Sequence, residues 1–220
     1  GLPDPAHITT ARDMATLAQA IIRDNPKYYP IYSEKEFTYN NIKQGNRNAL
    51  LYTDPSVDGL KTGHTEAAGY CLVASSKRGN MRLITAVMGT NSMQERADQT
   101  RALFSWGFSS YETIKPLTAG KVLGDAQVWF GTENHVKAGL DRDLSITLPR
   151  GQKDKVQAVT RLMPDLEAPI AKGQKVGEVV VTLDGKTIST QPVVAMEAVE
   201  ETNFVVRLWH HLKRFLSNLF

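Results

Sequence analysis

The chain has 220 residues, of which 41% are apolar, enough for one large or two ordinary domains with their own cores. Its formal charge of +3 and isoelectric point near 8.9 are too mild, without a clustered basic stripe, to indicate a nucleic-acid partner. Cys71 is the single cysteine, which excludes an internal disulfide and a paired-cysteine metal site. No stretch approaches the roughly 18 consecutive apolar residues of a membrane-spanning helix.

Two segments carry a capping signal followed by a helical pattern. In the first, the capping box Thr10–Asp13 precedes apolar residues at helical spacing, and the pattern stops at Asn25, before a proline. In the second, the capping pair Ser92–Glu95 begins a helix that we expect to run to about Trp106, ahead of Gly107. The sequence therefore predicts two helices in its first half.

Strand patterns lie between these helices, at residues 36–42, 60–64, 69–75 and 81–88. The turn residues Lys77–Asn80 join the last two strands into a hairpin. Both strands of this hairpin are apolar on both faces, so the sheet needs helices on either side. We expect covering helices to be missing from the chain, which would expose these apolar faces and make the segment prone to aggregation.

After residue 116 the pattern changes to short strands separated by turns. They are predicted at residues 127–130, 143–148, 156–162, 176–183 and 187–196. Asp184-Gly185 supplies the residues of a tight hairpin turn between the last two. The regular spacing predicts a small all-β domain, sandwich-like or a barrel, over residues 116–202.

The last segment, residues 203–220, has an amphipathic helical pattern. On a helical wheel its apolar residues fall within one arc of roughly 160°. They are Phe204, Val205, Leu208, Trp209, Leu212, Phe215, Leu216, Leu219 and Phe220. Arg207, Lys213 and Arg214 lie on the other side, and Thr202 or Asn203 would cap the helix. The pattern favours a helix in the interface of an anionic membrane, Phe204 to Phe220 forming the contact, although a terminal helix packed on the β domain or on a partner chain has a similar pattern.

The triplet Lys61-Thr62-Gly63 stands before an apolar run. An ammonium group and a hydroxyl can bind a carboxylate, and glycine lets another backbone approach closely. Three residues are a weak signal, because the same triplet also suits an ordinary strand entry. His64, which follows, is by itself more typical of a structural position than of a catalytic one.

The residues around this triplet carry a resemblance to a known family. The stretches "NRNALLYTDPSVDGLKTGHTEAAGYCLVASS" and "MRLITAVMGTNSMQERADQTRALFSWGF", together with "ARDMATLAQAIIRD", "IYSEKEFTYNNI" and "LDGKTI", resemble the low-molecular-mass penicillin-binding proteins. These are the D-alanyl-D-alanine carboxypeptidases of the penicillin-binding protein 5 type. The resemblance extends over essentially the whole chain, with its stretches in the same order.

The resemblance implies a serine acyl-transfer enzyme that removes the terminal D-alanine of peptidoglycan pentapeptides and is acylated by β-lactams. By the same resemblance, Lys61 and Thr62 would bind the terminal carboxylate of the substrate, and Gly63 would clear space for it. The backbone N–H of His64 would contribute to the oxyanion hole, and Arg47 would lie near the carboxylate. No metal or organic cofactor is implied, and the expected location is the periplasmic face of a bacterial inner membrane, with a role in cell-wall synthesis and cell shape.

Two of the three motifs that such serine enzymes require are missing. Neither Ser-x-x-Lys nor Ser-x-Asn occurs anywhere in the 220 residues, and only Lys-Thr-Gly is present. Tyr39-Asn40-Asn41 imitates part of the second motif, but it lies in the strand leading towards Arg47 and is interpreted as a chance match. We expect the nucleophilic serine, its lysine and the second motif to lie upstream of Gly1, so that this chain alone holds half a site and is inactive.

The fold class predicted from these features is α+β, in three parts. Residues 1–115 would be the remnant of a β-lactamase-like α/β domain, residues 116–202 a β-rich domain, and residues 203–220 the membrane-surface helix. Two other functions stay open. Residues 117–200 have a strand-turn pattern similar to lipoyl or biotinyl carriers, with Lys186 at a hairpin tip, and the β domain with its helix could serve only as a stalk and membrane anchor.

Overall fold

A computed structural model describes residues 4, 6–203 and 206–208 of the chain. They divide into two compact units, Gly1–Glu112 and Thr113–Phe220. Hydrophobic clusters are found separately in each unit, so each has a core of its own. The described residues combine helices with largely antiparallel sheets, in which β11 pairs in parallel with β7, and the predicted α+β class is confirmed.

In its described residues, the first unit contains three α-helices and five strands, and a sixth strand begins at its end. The helices are α1 (Ala11–Asp24), α2 (Leu50–Thr53) and α3 (Met93–Ser110), with a 3₁₀ helix at Tyr29–Ser33. The strands are β1 (Glu36–Tyr39), β2 (Ile42–Gly45), β3 (Val57–Thr65), β4 (Gly69–Arg78), β5 (Met81–Thr90) and β6 (Tyr111–Leu117). Strands β3, β4 and β5 form an antiparallel sheet in that order.

Both predicted helix starts are confirmed by their caps. The Thr10 hydroxyl accepts from the Asp13 N–H at 3.1 Å, and the Asp13 carboxylate accepts from the Thr10 N–H at 3.3 Å. The Ser92 hydroxyl accepts from the Glu95 N–H at 3.0 Å. Helix α3 nevertheless continues past Gly107 to Ser110, because Gly107 is buried inside the helix against β5 rather than ending it.

The expectation of uncovered apolar faces in the first sheet is wrong. On β4, Val73 packs with Ala18 of α1, whereas the neighbouring Leu72 and Ala74 pack with Phe104 of α3. Because successive side chains of a strand point to opposite faces, α1 and α3 cover the two faces of the sheet. The strand pattern was apolar on both faces for this reason, and both covering helices belong to the chain itself.

Strands β1 and β2 form a two-stranded hairpin with exposed side chains. The turn between them is Asn40-Asn41, and both residues have positive φ values, 48° and 61°. Asparagine tolerates this backbone conformation and is typical of such tight hairpin turns. Tyr39-Asn40-Asn41 is therefore the end of a strand and its turn, which explains these residues without a catalytic role.

The second unit is built from strands. They are β6, shared with the first unit, β7 (Val122–Trp129), β8 (His135–Gly139), β9 (Leu144–Pro149), β10 (Val156–Leu162), β11 (Leu166–Glu167), β12 (Lys175–Leu183) and β13 (Lys186–Ala195). One sheet has the order β10-β12-β13-β8-β7-β11, and β6 pairs with β9. Strand β8, which was not predicted, is short and depends on pairing with β7 and β13. The turn of the β12–β13 hairpin is Asp184-Gly185, as predicted.

The predicted C-terminal helix falls mostly outside the described residues. Residues 206–208 are helical, and the Asn203 side chain accepts from the Val206 N–H at 3.1 Å, which is the geometry of a helix cap. Nothing further is described of Phe204 to Phe220 beyond these three residues. In the described part of the chain, no helix is both long and apolar enough to cross a membrane.

Candidate functional site

The Lys-Thr-Gly triplet lies on the outer half of β3. Within the part of the chain that the structure describes, this strand pairs with β4 alone, so it forms an edge of its sheet. The side chains of Lys61 and His64 are exposed, Gly63 is exposed, and Thr62 is half-buried. The Lys61 ammonium donates to the backbone carbonyl of Thr62. The triplet thus places an ammonium, a half-buried threonine and a strand edge at the surface of the described residues.

The inner half of β3 is firmly anchored. Val57, Gly59 and Leu60 are buried, and the Asp58 carboxylate accepts hydrogen bonds from the Tyr29 hydroxyl at 2.9 Å and from Arg82 at 2.7 Å. Burial is the main cause that raises the pKa of Tyr29, to about 12. The strand is therefore fixed at its base and exposed at the triplet.

Arg47 is presented by a loop that its two neighbouring asparagines fix. The Asn46 side chain donates to the Glu34 carbonyl at 3.0 Å, and its oxygen accepts from the Asn48 N–H at 2.9 Å. Asn48 is 1% exposed and donates to the carbonyl of Gly59, on β3, at 3.1 Å. These bonds connect the loop to the strand that carries the triplet, while Arg47 itself remains exposed.

Arg96 is a site residue that the sequence pattern did not reveal. It lies on α3, is only 4% exposed, and donates to the backbone carbonyl of Arg47 at 3.0 Å. Its pKa is lowered, chiefly by burial and further by the charge of Arg47, so the two guanidinium groups repel each other. An anion bound near Arg47 would relieve this repulsion. In the sequence Arg96 stands among polar helix residues, where it is typical of a solvated face.

Tyr70, on β4 directly opposite His64, is the second residue that the sequence did not reveal. The two rings have centroids 4.0 Å apart with planes at 33°. The Arg96 guanidinium carbon lies 5.8 Å from the centroid of the same tyrosine ring. A row of contacts therefore runs from His64 through Tyr70 and Arg96 to Arg47, from β3 through β4 and α3 to the loop.

Gly63 has room around it in the described residues. A Cβ atom built there would have its nearest contact, at 3.9 Å, with the Cβ of Cys71, which is ordinary van der Waals contact. The surrounding described side chains therefore do not require glycine at this position. The predicted role of Gly63 in clearing space for a ligand stays a prediction.

The candidate residues supply positive charge and hydrogen-bond donors, but the acylating serine is not among them. Lys61, Thr62 and Arg47 offer cationic and hydroxyl donors suited to a carboxylate. The serine and lysine motif of acylation is absent from the sequence.

Comparison with known proteins assigns both units. Residues 1–92 match the family model of D-alanyl-D-alanine carboxypeptidases, and residues 111–201 match that of the penicillin-binding protein 5 C-terminal domain. The chain belongs to the D-alanyl-D-alanine carboxypeptidase family of low-molecular-mass penicillin-binding proteins. The predicted resemblance is therefore confirmed.

Individual relatives agree with this assignment. The D-alanyl-D-alanine carboxypeptidase DacA of Escherichia coli strain K12 is 44% identical over 222 residues, which cover 100% of this chain and 55% of the relative. The DacA of Haemophilus influenzae is 46% identical over 223 residues, covering 100% of this chain and 57% of that protein. The crystal structure of penicillin binding protein 5 from Haemophilus influenzae is similar with a TM-score of 0.77 and 48% identity, over 91% of this chain and 59% of that chain. The chain thus spans a little over half the length of these relatives.

The carrier interpretation of Lys186 is not supported by these findings. Lys186 is the exposed first residue of β13, directly after the Asp184-Gly185 turn. The whole hairpin lies within the match to the penicillin-binding protein 5 C-terminal domain. An ordinary hairpin of that domain accounts for the residue.

Proposed function

We propose that this chain is part of a serine-type D-alanyl-D-alanine carboxypeptidase that remodels peptidoglycan. The enzyme would remove the terminal D-alanine of pentapeptide stems and would be acylated by β-lactams. The observation that carries the proposal is the exposed Lys61-Thr62-Gly63 edge of β3, inside the segment that matches the carboxypeptidase family. The relatives' names specify the reaction, and the cationic edge suits a substrate that ends in a carboxylate.

Each candidate residue has a distinct role in this proposal. Lys61 and Thr62 bind the terminal carboxylate and take part in the proton-transfer network, and Arg47 assists from its loop. The backbone N–H of His64 donates to the oxyanion of the tetrahedral intermediate, a contribution worth roughly 3 kcal/mol per donor in serine hydrolases. Gly63 leaves space beside the reacting carbonyl.

The nucleophile would come from sequence outside these 220 residues. The chain contains neither Ser-x-x-Lys nor Ser-x-Asn and spans a little over half the length of its relatives. A serine needs an adjacent base in order to acylate, and both would belong to the segment that this chain lacks. That segment is also the chain's main proposed protein partner, because it would complete the cleft beside β3.

Intact-mass measurement after incubation with penicillin tests the proposal. The complete enzyme, with the segment that carries the two missing motifs, should gain one stoichiometric acyl adduct and release D-alanine from a pentapeptide. The 220-residue chain alone should do neither. A stoichiometric adduct on the chain alone would show that the nucleophile lies within these 220 residues rather than outside them. A complete enzyme that is not labelled would contradict the proposed function.

A second function, stalk and membrane anchor, is compatible with the first. The second unit has its own core, and Asn203 caps a helical segment in which Leu208 is 63% exposed. An exposed leucine on the predicted apolar arc suits a helix whose apolar face meets lipid. The β domain would then hold the catalytic domain at the periplasmic face of the inner membrane as a peripheral protein.

A further inference from the structure

The row of contacts between His64 and Arg47 has an aromatic ring at its centre. Tyr70 is half-buried, and its position on β4 is fixed by pairing with His64 on β3 and with Thr90 on β5. The Thr90 hydroxyl also donates to the Tyr70 carbonyl at 2.9 Å. The backbone under this ring is therefore held on both sides.

The contacts of the Tyr70 ring connect two candidate ligand-binding elements. Its face meets the imidazole of His64 at a centroid separation of 4.0 Å, which limits how far that exposed side chain can move. The guanidinium carbon of the buried Arg96 lies 5.8 Å from the centroid of the same ring, within range of a cation–π interaction. Arg96 in turn holds the Arg47 loop through the carbonyl of Arg47.

The buried charge of Arg96 gives the Tyr70 ring a second role beside its contact with His64. Arg96 is buried close to a second guanidinium, and its neighbours in the described residues are a carbonyl, the Tyr70 ring and the Cys71 thiol rather than a carboxylate. A buried cation is costly unless something compensates it, and a ring face supplies part of this compensation without neutralising the charge. A carboxylate at Arg47 would therefore still find a positive field.

We infer that Tyr70 is a positioning residue of the proposed carboxypeptidase, and that its ring sets the spacing between the Lys-Thr-Gly strand and the Arg47 loop. This inference rests on the proposed function. The ring, rather than the hydroxyl, carries the role, because both contacts are made with the ring. Loss of the ring should weaken binding of the substrate's carboxylate more than it slows the chemical step.

Steady-state kinetics of the complete enzyme on a pentapeptide test the inference. Tyr70→Leu should raise KM about tenfold with kcat changed by no more than about threefold, since an aromatic pair and a buried cation–ring contact are lost. Tyr70→Phe should keep both parameters within about twofold of wild type. Tyr28→Leu, at an exposed tyrosine outside the row, is the matched control and should behave as wild type.

Two kinetic results would overturn the inference. One is an unchanged KM in folded Tyr70→Leu, and the other is a Tyr70→Phe enzyme as defective as Tyr70→Leu, which would assign the effect to the hydroxyl. If Tyr70→Leu does not fold, Arg96→Lys replaces it, because lysine keeps the charge but loses the planar group, and the same rise in KM is expected.

Nuclear magnetic resonance of the 220-residue chain separates this inference from the proposed function. The ring current of Tyr70 should perturb the chemical shifts of the His64 ring protons in the wild type, and the phenylalanine ring should do the same in Tyr70→Phe. In Tyr70→Leu these chemical shifts should return to the values of an unstacked histidine. A complete enzyme without activity would contradict the proposed function, and the His64 signals would then decide the positioning role. Unperturbed chemical shifts of the His64 ring protons in the wild type would overturn that role.

Discussion

Lys61 and Arg96 show how the same charge is used in two ways. Lys61 is exposed at a strand edge and can approach a ligand, whereas Arg96 is buried and acts through the residues it holds. A lysine ammonium is a compact, mobile donor, and an arginine guanidinium can stack and bond in a plane. The first therefore suits direct contact with a substrate and the second suits support of the site.

Substitution of Lys61 by alanine should cripple acylation in the complete enzyme. The ammonium would contact the substrate carboxylate and the reacting centre, so its loss should cost several kcal/mol, roughly a hundredfold in acylation rate. The measurement is the rate of penicillin labelling. Lys77→Ala, at an exposed lysine of β4, is the control and should label normally. Near-normal labelling of a folded Lys61→Ala enzyme would remove Lys61 from the site.

Tyr29 should make the chain sensitive to alkali. Its pKa is raised to about 12 in the folded state, from about 10 in the unfolded chain, so above pH 10 the unfolded state loses a proton that the folded state keeps. The contribution to stability is complete below pH 10 and is lost as the pH rises towards about 12.

Urea unfolding of the 220-residue chain at pH 9 and pH 11 measures this effect. The free energy of unfolding should fall more between the two values for wild type than for Tyr29→Phe, which has no proton to lose. Tyr28→Phe, at an exposed tyrosine, should keep the full fall of the wild type. An equal decrease in the free energy of unfolding for wild type and Tyr29→Phe would show that burial of Tyr29 does not cause the loss of stability at alkaline pH.

At the scale of single strands, two glycines illustrate different constraints. Gly177, on β12, lies where an added Cβ would be 2.5 Å from the Arg161 carbonyl oxygen and 3.0 Å from the Leu162 Cα of β10. These are backbone atoms, which cannot move without distorting the sheet. Gly63 meets nothing closer than 3.9 Å. Close packing dictates the first glycine, whereas the described neighbours of Gly63 leave room for a side chain.

Thermal unfolding of the 220-residue chain should separate these two positions. Gly177→Ala should destabilise by about 2 kcal/mol or more, because the strands must move apart. Gly63→Ala should be neutral or slightly stabilising, since alanine costs less conformational entropy than glycine in a strand. Equal shifts in Tm for the two variants would contradict this distinction.

The C-terminal segment should act as an element of its own at a membrane surface. Nine apolar side chains, each contributing on the order of 1 kcal/mol by partial burial, can outweigh the cost of ordering a helix, and Arg207, Lys213 and Arg214 add attraction to lipid phosphate. Deletion of residues 204–220 should abolish binding to anionic vesicles in a sedimentation assay, and salt should weaken binding of the intact chain. Equal soluble recovery of intact and truncated protein from cells would instead support a packed terminal helix.

At the scale of the molecule, each unit has the residues it needs for a core. The large cluster of the second unit, from Ala126 to Val199, lies wholly within that unit. In the first unit, α1 and α3 cover the two faces of the β3-β4-β5 sheet, so the apolar exposure that we predicted for β4 and β5 is contradicted.

A fragment of residues 111–203 should fold alone, because it contains the complete cluster and the whole of β6. We expect a single cooperative unfolding transition in urea when it is monitored by near-ultraviolet circular dichroism. Val193→Asp, which places a charge at a position with 0% exposure, should abolish this transition. A fragment without cooperative unfolding would show that the second unit depends on the first.

The sequence by itself determined the features that are written in local patterns. Thr10 and Ser92 mark the helix starts, Asp184-Gly185 marks a hairpin turn, and the order of the resembling stretches identified the family. These signals depend on residues close together in the chain. The missing Ser-x-x-Lys motif could likewise be read directly from the sequence.

The tertiary structure decided what depends on distant contacts. Strand β8 exists because β7 and β13 pair with it, and the end of α3 was misplaced because Gly107 packs on β5 instead of ending the helix. Arg96 and Tyr70 join the candidate site only because α3 and β4 bring them to Arg47 and His64. A charged residue in a helical pattern is predicted to be solvated, because its neighbours in sequence do not show which elements will cover it. Its burial depends on those covering elements.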